Sequence, residues 1–444
     1  MLILYSLALL LVIVLGAPWW LFRMATSGKY REGLTERFGK VPPRLYSQLD
    51  GRRVVWVHAV SVGEVLAASR LIDELDARLA QSGGQRARDT WQVMISTTTR
   101  TGQALARQRL GAERVFYFPL DFGWAVRAWL RALRPRLVVL METEFWPRML
   151  TECRRRGIPV AVVNARISDR SWPRYRRLGW IWRRLLSGLA VVLAQSDLDA
   201  ERLKALGAAN VRVAGNLKYD VRAAGSSEIV ALLRKHLEPG TRVLVCGSTL
   251  AGEEVMLLDA LPADSVTILA PRHPERFAEV AEILQKRGVP WMRRSEWVPS
   301  PKRLGRGTIF LLDSIGELAS VYALAHAAFI GGSLVQAGGH NPLEAAQFGV
   351  PVAMGPSYEN FRGIVEKLKE RDAIQIVQPN ELKQALAALL AGSPESVARS
   401  ARGRDVFETE AGATERAVQA LMELIEPGEL HPVDRRRTTA GARA

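Results

Sequence analysis

VVWVHAVSVGEVLAA, Val54–Ala68, is a run of apolar β-formers that stops at Ser61-Val62-Gly63-Glu64 and gives way to apolar residues at helical spacing. A short apolar run closed by a turn is a buried strand, and the change of period marks a strand feeding a helix. The unit recurs. VMISTTT (93–99) precedes a helical pattern over 102–110, and VFYFPLD (115–121) precedes one near Trp124–Leu133. LVVLMET (137–143) precedes one near Pro147–Arg156, and VAVVNAR (160–166), VVLAQS (191–196) and VRVAGN (211–216) close the series. Strands without polar alternation, each followed by a helix, form a parallel sheet covered on both faces.

The series pauses over 220–240, which reads as a linker with one helix, and then restarts. RVLVCGS (242–248), VTILAPR (266–272), TIFLLDS (308–314), AAFIGGS (327–333) and VPVAMGP (350–356) are its strands. At roughly 100–200 residues per domain, 444 residues hold two or three domains. The fold class is therefore α/β, with two doubly wound domains over 23–219 and 220–425 that face a cleft. Ligands bind beyond the carboxyl ends of such strands, so the motifs there carry most weight.

The first 22 residues are different. Leu2 to Phe22 is uncharged, apolar and about the length a membrane-spanning helix needs. Trp19 and Trp20 sit at its end, no Lys or Arg precedes it, and Arg23, Lys29 and Arg31 follow. This asymmetry makes it an uncleaved anchor and puts the rest of the chain in the cytoplasm. The basic stretch from Lys29 to Arg44 is expected to lie on the membrane surface. Residues 426–444, with DRRRTTAGARA, read as a disordered tail.

The formal charge of +16 comes from arginine, with ten Arg and one acid, Asp169, between Arg154 and Arg184, interleaved with Trp172, Trp180 and Trp182. On a membrane-tethered chain this favours an anionic lipid or phosphorylated amphiphile over nucleic acid. Cys153 and Cys246 make no disulfide framework, and six histidines show no metal-ligand spacing. The chain has no phosphate-loop motif with its lysine, and no G-x-G-x-x-G at a first strand–helix turn.

In the second half, Gly331-Gly332-Ser333 open a strand end to close approach, and Asn341, Pro342, Leu343 and Glu344 have the order of N-cap, N1, N2 and N3. The pattern is either a plain cap or, as the glycines crowded at this strand end favour, a cap whose amides face a phosphate. Pro271-Arg272 ends another strand, and Ser314, Gly316, Glu317 and Leu318 a third, again at capping-box spacing. In the first half Ser61 and Glu64 have that spacing too, and Glu64 is either a cap or a general base. Glu142 and Glu144 share a strand end, where two carboxylates tune each other's ionisation. Lys218 falls where the two halves join; a lone lysine there ordinarily faces solvent.

HAVSVGEV, METEFWP, GNLKYD, APRHPERF and GGHNPLEAAQFGVPVAMGP together resemble the 3-deoxy-D-manno-octulosonic acid (Kdo) transferases of lipopolysaccharide assembly, from the anchor to about residue 420. The resemblance implies a GT-B fold, two Rossmann-like domains about a cleft. It implies transfer of Kdo from CMP-Kdo to a glucosamine hydroxyl of a lipid A precursor, lipid IVA, at the cytoplasmic face of the inner membrane. Configuration inverts and no metal or other cofactor takes part. Glu64 is then the general base, and Lys218 with Glu142 or Glu144 stabilises the transition state. Pro271, Arg272, Gly316, Glu317, Leu318, Asn341, Pro342, Leu343 and Glu344 hold CMP, with Glu344 on the ribose. The Arg/Trp stretch and the basic segment after the anchor meet the lipid acceptor and anionic membrane lipids. Two other readings use the same features: a GT-B enzyme acting on a UDP-sugar, and a membrane-tethered protein that binds anionic lipid.

Overall fold

The computed structural model describes residues 2–27, 32–49, 51–81, 91–297 and 303–425, so Lys29, Arg31 and the expected tail over 426–444 lie outside the described residues. The chain forms two compact units, Met1–Val221 with Gly412–Ala444, and Arg222–Ala411.

The first unit holds a seven-stranded sheet of order β3-β2-β1-β4-β5-β6-β7. Its strands are β1 (Arg53–His58), β2 (Trp91–Thr97), β3 (Val115–Tyr117), β4 (Pro135–Met141), β5 (Val160–Ala165), β6 (Val191–Ala194) and β7 (Val211–Val213). All seven expected strands are present and every pairing is parallel. Alternate residues feed two cores. Val54, Trp56, Val138 and Leu140 join Trp129 and Leu150 on one face. Val55, Val57, Leu137 and Val139 join Leu71, Ile72 and Leu75 of the Val62–Gln81 helix on the other. A strand buried on both sides cannot alternate polar with apolar, which is why VVWV is continuous.

The second face is completed from far along the chain. The Ala413–Ile425 helix buries Ala417, Val418 and Leu421 against it. Asp220 fixes the return by accepting from Gly412 N at 2.6 Å and Thr414 N at 2.5 Å. The expected boundary at 425 is therefore replaced: the second unit ends at Ala411. The apolar stripe of that helix finds its partner about 350 residues earlier in sequence, in the Val62–Gln81 helix.

The second unit also holds seven parallel strands, in the order β10-β11-β9-β8-β12-β13-β14. They are β8 (Arg242–Thr249), β9 (Ser265–Pro271), β10 (Trp291–Arg293), β11 (Ile309–Leu311), β12 (Ala327–Ile330), β13 (Val352–Met354) and β14 (Gln375–Ile376). The short edge strands β10 and β14 were not expected, because two or three residues give no period to read. The linker helix is Glu228–His236.

At the amino end, α1 spans Leu2–Ser27, with Leu2–Trp20 long and apolar enough to cross a membrane. The basic segment after it is not a membrane-surface helix where it is described. Leu34–Arg37 is a single turn tied into the first unit. Glu36 is buried and accepts from Tyr117 N at 2.7 Å and Arg44 at 2.9 Å, and Arg37 donates to Thr98 O at 2.5 Å over the Tyr117 ring. These cations are spent on internal bonds.

Candidate active site

In the first unit the chain leaves β1 toward β2 on one side and later returns to place β4 on the other. The crevice at that reversal is the ordinary ligand position of a doubly wound sheet. Ala59–Glu64 follows β1 and Glu142–Glu144 follows β4, so both carboxylate motifs flank it.

The capping box at Ser61 forms. Glu64 accepts from Val60 N at 2.9 Å and Ser61 Oγ at 3.0 Å, and the Glu64 amide reaches Ser61 Oγ at 3.5 Å. Burial lifts Glu64 to about 7 and the charge of Glu142 adds to the rise, against the two hydrogen bonds. A carboxyl poised near neutral pH is what a general base needs. Burial also raises Glu144, with Glu142 contributing.

Glu142 has φ 54°, in the left-handed region that a non-glycine residue adopts at a cost of about 1 kcal/mol. Its amide is locked to Val163 O at 2.9 Å. Its charge acts on both Glu64 and Lys218.

Lys218 is not on the open surface. Burial lowers its pKa, while Glu142 and then Glu64 oppose the shift. It stands on Leu217–Asp220, a 3-10 turn held by three strand ends. Asn164, with φ 59° at the end of β5, accepts from Leu217 N at 3.1 Å. Gln195 after β6 donates to Asn164 O at 2.9 Å, and Asn216 after β7 donates to Gln195 at 3.0 Å. Asn164, Gln195 and Asn216 are supports that the motif reading missed; an Asn or Gln at three successive strand ends was their signal. The four expected residues Glu64, Glu142, Glu144 and Lys218 are thus brought together.

Also in this unit, Trp172–Arg177 and Gly179–Leu186 are helices whose Trp172, Arg176, Arg177, Trp180, Arg183 and Arg184 border a hollow of about 710 Å³. Aromatic faces beside guanidinium groups suit an anionic group on an apolar body.

In the second unit the reversal lies between β8 and β12. Ser248, at the end of β8, has φ 58°, and Gly331 packs so close that a Cβ there would lie 2.5 Å from Ser248 O. From the neighbouring β9, Pro271 is buried and Arg272 exposed. The motifs after β9 and β12 converge. Burial pushes Glu344 up to about 7, opposed by the charge of Arg272 and by Asn341. Burial holds His340 down at about 4, helped by Arg272 and His273. Asn341 accepts from Leu343 N at 3.2 Å, and Pro342 and Leu343 are buried beneath. Burial raises Tyr322, which follows Gly316–Leu318 by one turn, and the charge of Glu344 adds to the rise. The expected Ser314/Glu317 pair forms as well, but Glu317 is also bound by Arg294 through two contacts of 3.1 Å. That leaves the backbone of Gly316 to Leu318, rather than the Glu317 carboxylate, open to a ligand.

Two expectations about phosphate binding are corrected. The helix after Asn341 is only Leu343–Ala346, with Pro342 as its cap, and the one after Glu317 is only Leu318–Val321. A single turn sums too few peptide dipoles to act as a helix terminus. The amides after β12 are also taken. Glu253, fully buried, accepts from Gly332 at 2.6 Å and from Ser333, Leu334 and Leu250 at 2.9 Å each. An internal carboxylate thus holds the amides of the strand end that the sequence reads as open to close approach.

Residues 32–221 match the family model described as 3-deoxy-D-manno-octulosonic-acid transferase (kdotransferase). The chain resembles, in fold alone, a UDP-GlcNAc 2-epimerase from Neisseria meningitidis, with a TM-score of 0.54 at 13% identity over 84% of this chain and all of that one. The architecture is GT-B, two Rossmann-like units. The 3-deoxy-D-manno-octulosonic acid transferase of Haemophilus influenzae is 32% identical over 90% of this chain and 92% of its own. That of Bordetella pertussis is 34% identical over 90% of this chain and 94% of its own. With identity of this order spread over both units, the chain belongs to the 3-deoxy-D-manno-octulosonic acid transferases.

Proposed function

We propose that the chain transfers Kdo from CMP-Kdo to a glucosamine hydroxyl of a lipid A precursor, lipid IVA, in lipopolysaccharide biosynthesis. Glu64 takes the proton of the acceptor hydroxyl as its oxygen attacks the anomeric C2 of Kdo. The bond from C2 to the CMP phosphate oxygen breaks, CMP leaves with that electron pair, and configuration inverts. One observation carries the base assignment: Glu64 is oriented by Val60 N and Ser61 Oγ, and burial beside Glu142 brings it to about 7. Lys218 is a preformed cation for the Kdo carboxylate or the leaving phosphate. Glu142 is the carboxylate whose charge acts most on Lys218, which supports Glu142 as its partner.

CMP binds on the second unit, through Pro271 and Arg272, the backbone of Gly316 to Leu318, and Asn341 to Glu344, with Glu344 accepting from the ribose hydroxyls. The Arg/Trp hollow receives the phosphorylated end of the acceptor, and α1 holds the enzyme to the cytoplasmic face of the inner membrane. No step is assigned to a metal or other cofactor. Glu64→Ala tests the assignment. The variant should retain a CMP-induced rise in Tm, with UDP giving less, and lose transfer by roughly 10²–10⁴-fold. Full transfer refutes the base, and stabilisation by UDP but not CMP refutes the donor.

A further inference from the structure

The hydrogen bonds at the Lys218 turn close on themselves. Leu217 N donates to Asn164 Oδ1 at 3.1 Å, and Asn164 O accepts from Gln195 Nε2 at 2.9 Å. Gln195 Oε1 accepts from Asn216 Nδ2 at 3.0 Å, and Asn216 Oδ1 accepts from Lys218 N at 3.0 Å. Leu217 and Lys218 are neighbours, so the path returns to the peptide it left. Its three side chains come from the ends of three strands, β5, β6 and β7. Asn164 is buried and reaches the turn from a left-handed backbone, which asparagine tolerates better than most residues.

All three are amides, and the chemistry of the ring explains why. Gln195 and Asn216 must each donate and accept at once, which an amide does and an ionised carboxylate cannot. An amide also adds no charge beside the lysine. The charges that act on Lys218 are those of Glu142, Arg166 and Glu64, and none belongs to the ring. The other end of the same turn is tied by Asp220 to Gly412 N and Thr414 N. Beneath it Leu217 shares one core with Val65, which adjoins Glu64, and with Ala413 and Ala417 of the returning helix. The backbone of Lys218 is therefore fixed at both ends, and through Leu217 it shares packing with the helix that carries Glu64.

We propose that Asn164, Gln195 and Asn216 are positioning residues for Lys218, a neutral ring that fixes the 217–218 peptide and so the place where Nζ meets the anionic group of the donor. The inference rests on the role given to Lys218 above, and the test separates the two. Four variants of the full chain are compared with the parent in single-turnover transfer from CMP-Kdo to the lipid precursor, at high enzyme concentration. Gln195→Ala opens the ring without touching the turn. Asn164→Gly removes an acceptor and keeps a residue at ease with the left-handed backbone. Lys218→Met removes the cation, and Gln195→Ala with Lys218→Met combines the two changes. Either ring variant should lower the rate by roughly 10–100-fold, as a misplaced group does. In the Lys218→Met background Gln195→Ala should cost little more, because both changes remove the same interaction. A wild-type rate in both ring variants overturns the ring's role, and so does an equal further loss from Gln195→Ala in the Lys218→Met background; both results leave Lys218 in place. A wild-type rate in Lys218→Met overturns the role of the lysine and this inference with it. Gln195→Ala decides alone if Asn164→Gly does not fold.

Discussion

Glu64→Gln should make the protein more stable while making it inactive. The folded-state value of Glu64 is raised from 4.5 to about 7, mainly by burial and next by Glu142. Between these values the folded protein holds a proton that the unfolded chain has released, so stability falls as pH rises through this window. The penalty is absent below pH 4.5 and complete above pH 7. A shift of this size corresponds to about 3 kcal/mol at the limit. The side chain is partly open to solvent, and screening reduces the figure to about 1–2 kcal/mol. Glutamine keeps the shape, since its carbonyl can accept from Val60 N and its amide can donate to Ser61 Oγ. Thermal unfolding at pH 8 should then show the variant's Tm higher by about 2–8 °C, and the gain should shrink toward zero as pH approaches 4.5. A lower Tm at pH 8 would refute the reasoning. It would mean that the carboxylate stabilises the fold as a cap more than its burial destabilises it.

Three further outcomes follow from the same geometry. Glu142→Gln removes the nearest charge raising Glu64, so the acid limb of kcat/KM should move below about pH 7; an unmoved limb refutes the coupling. Glu344, raised by burial to about 7, accepts more strongly from both ribose hydroxyls when ionised, so CMP affinity measured by calorimetry should weaken as pH falls below that value. Glu344→Gln should bind more weakly with no such pH dependence, and a retained dependence would exclude Glu344 as its source. Glu253→Ala strands four amides and should destabilise the second unit by about 3 kcal/mol or more in chemical denaturation, with a near-neutral result contradicting the lock on the Gly332–Leu334 loop.

Where the sequence carries a period, the fold is legible. The run from Val54 to His58 and its six successors in the first unit fall on strands, because an apolar run between turns has no other stable place in a doubly wound sheet. The strand-end motifs were legible for the same reason, since topology sends every carboxyl end to one edge. What escaped depends on partners distant in sequence. The Ala413–Ile425 helix looks like the last element of the second domain until Asp220 and the Val62–Gln81 helix claim it. Glu253 looks like an ordinary first-turn acid, and only the fold shows it filling the nest after β12. Asn341-Pro342 signals a helix start correctly, but nothing local reveals that the helix ends after one turn. Which carboxylate acts on Lys218 also needed three dimensions: no local pattern shows that the charge of Glu142 bears on it.

The purified chain incubated with CMP-Kdo and a tetraacylated lipid A precursor, with products weighed by mass spectrometry, puts the proposed reaction to the test. A lipid product heavier by one or more Kdo residues, with release of CMP and no such product from Glu64→Ala, is the expected result. An unmodified lipid under conditions where the protein is folded and binds CMP would contradict it.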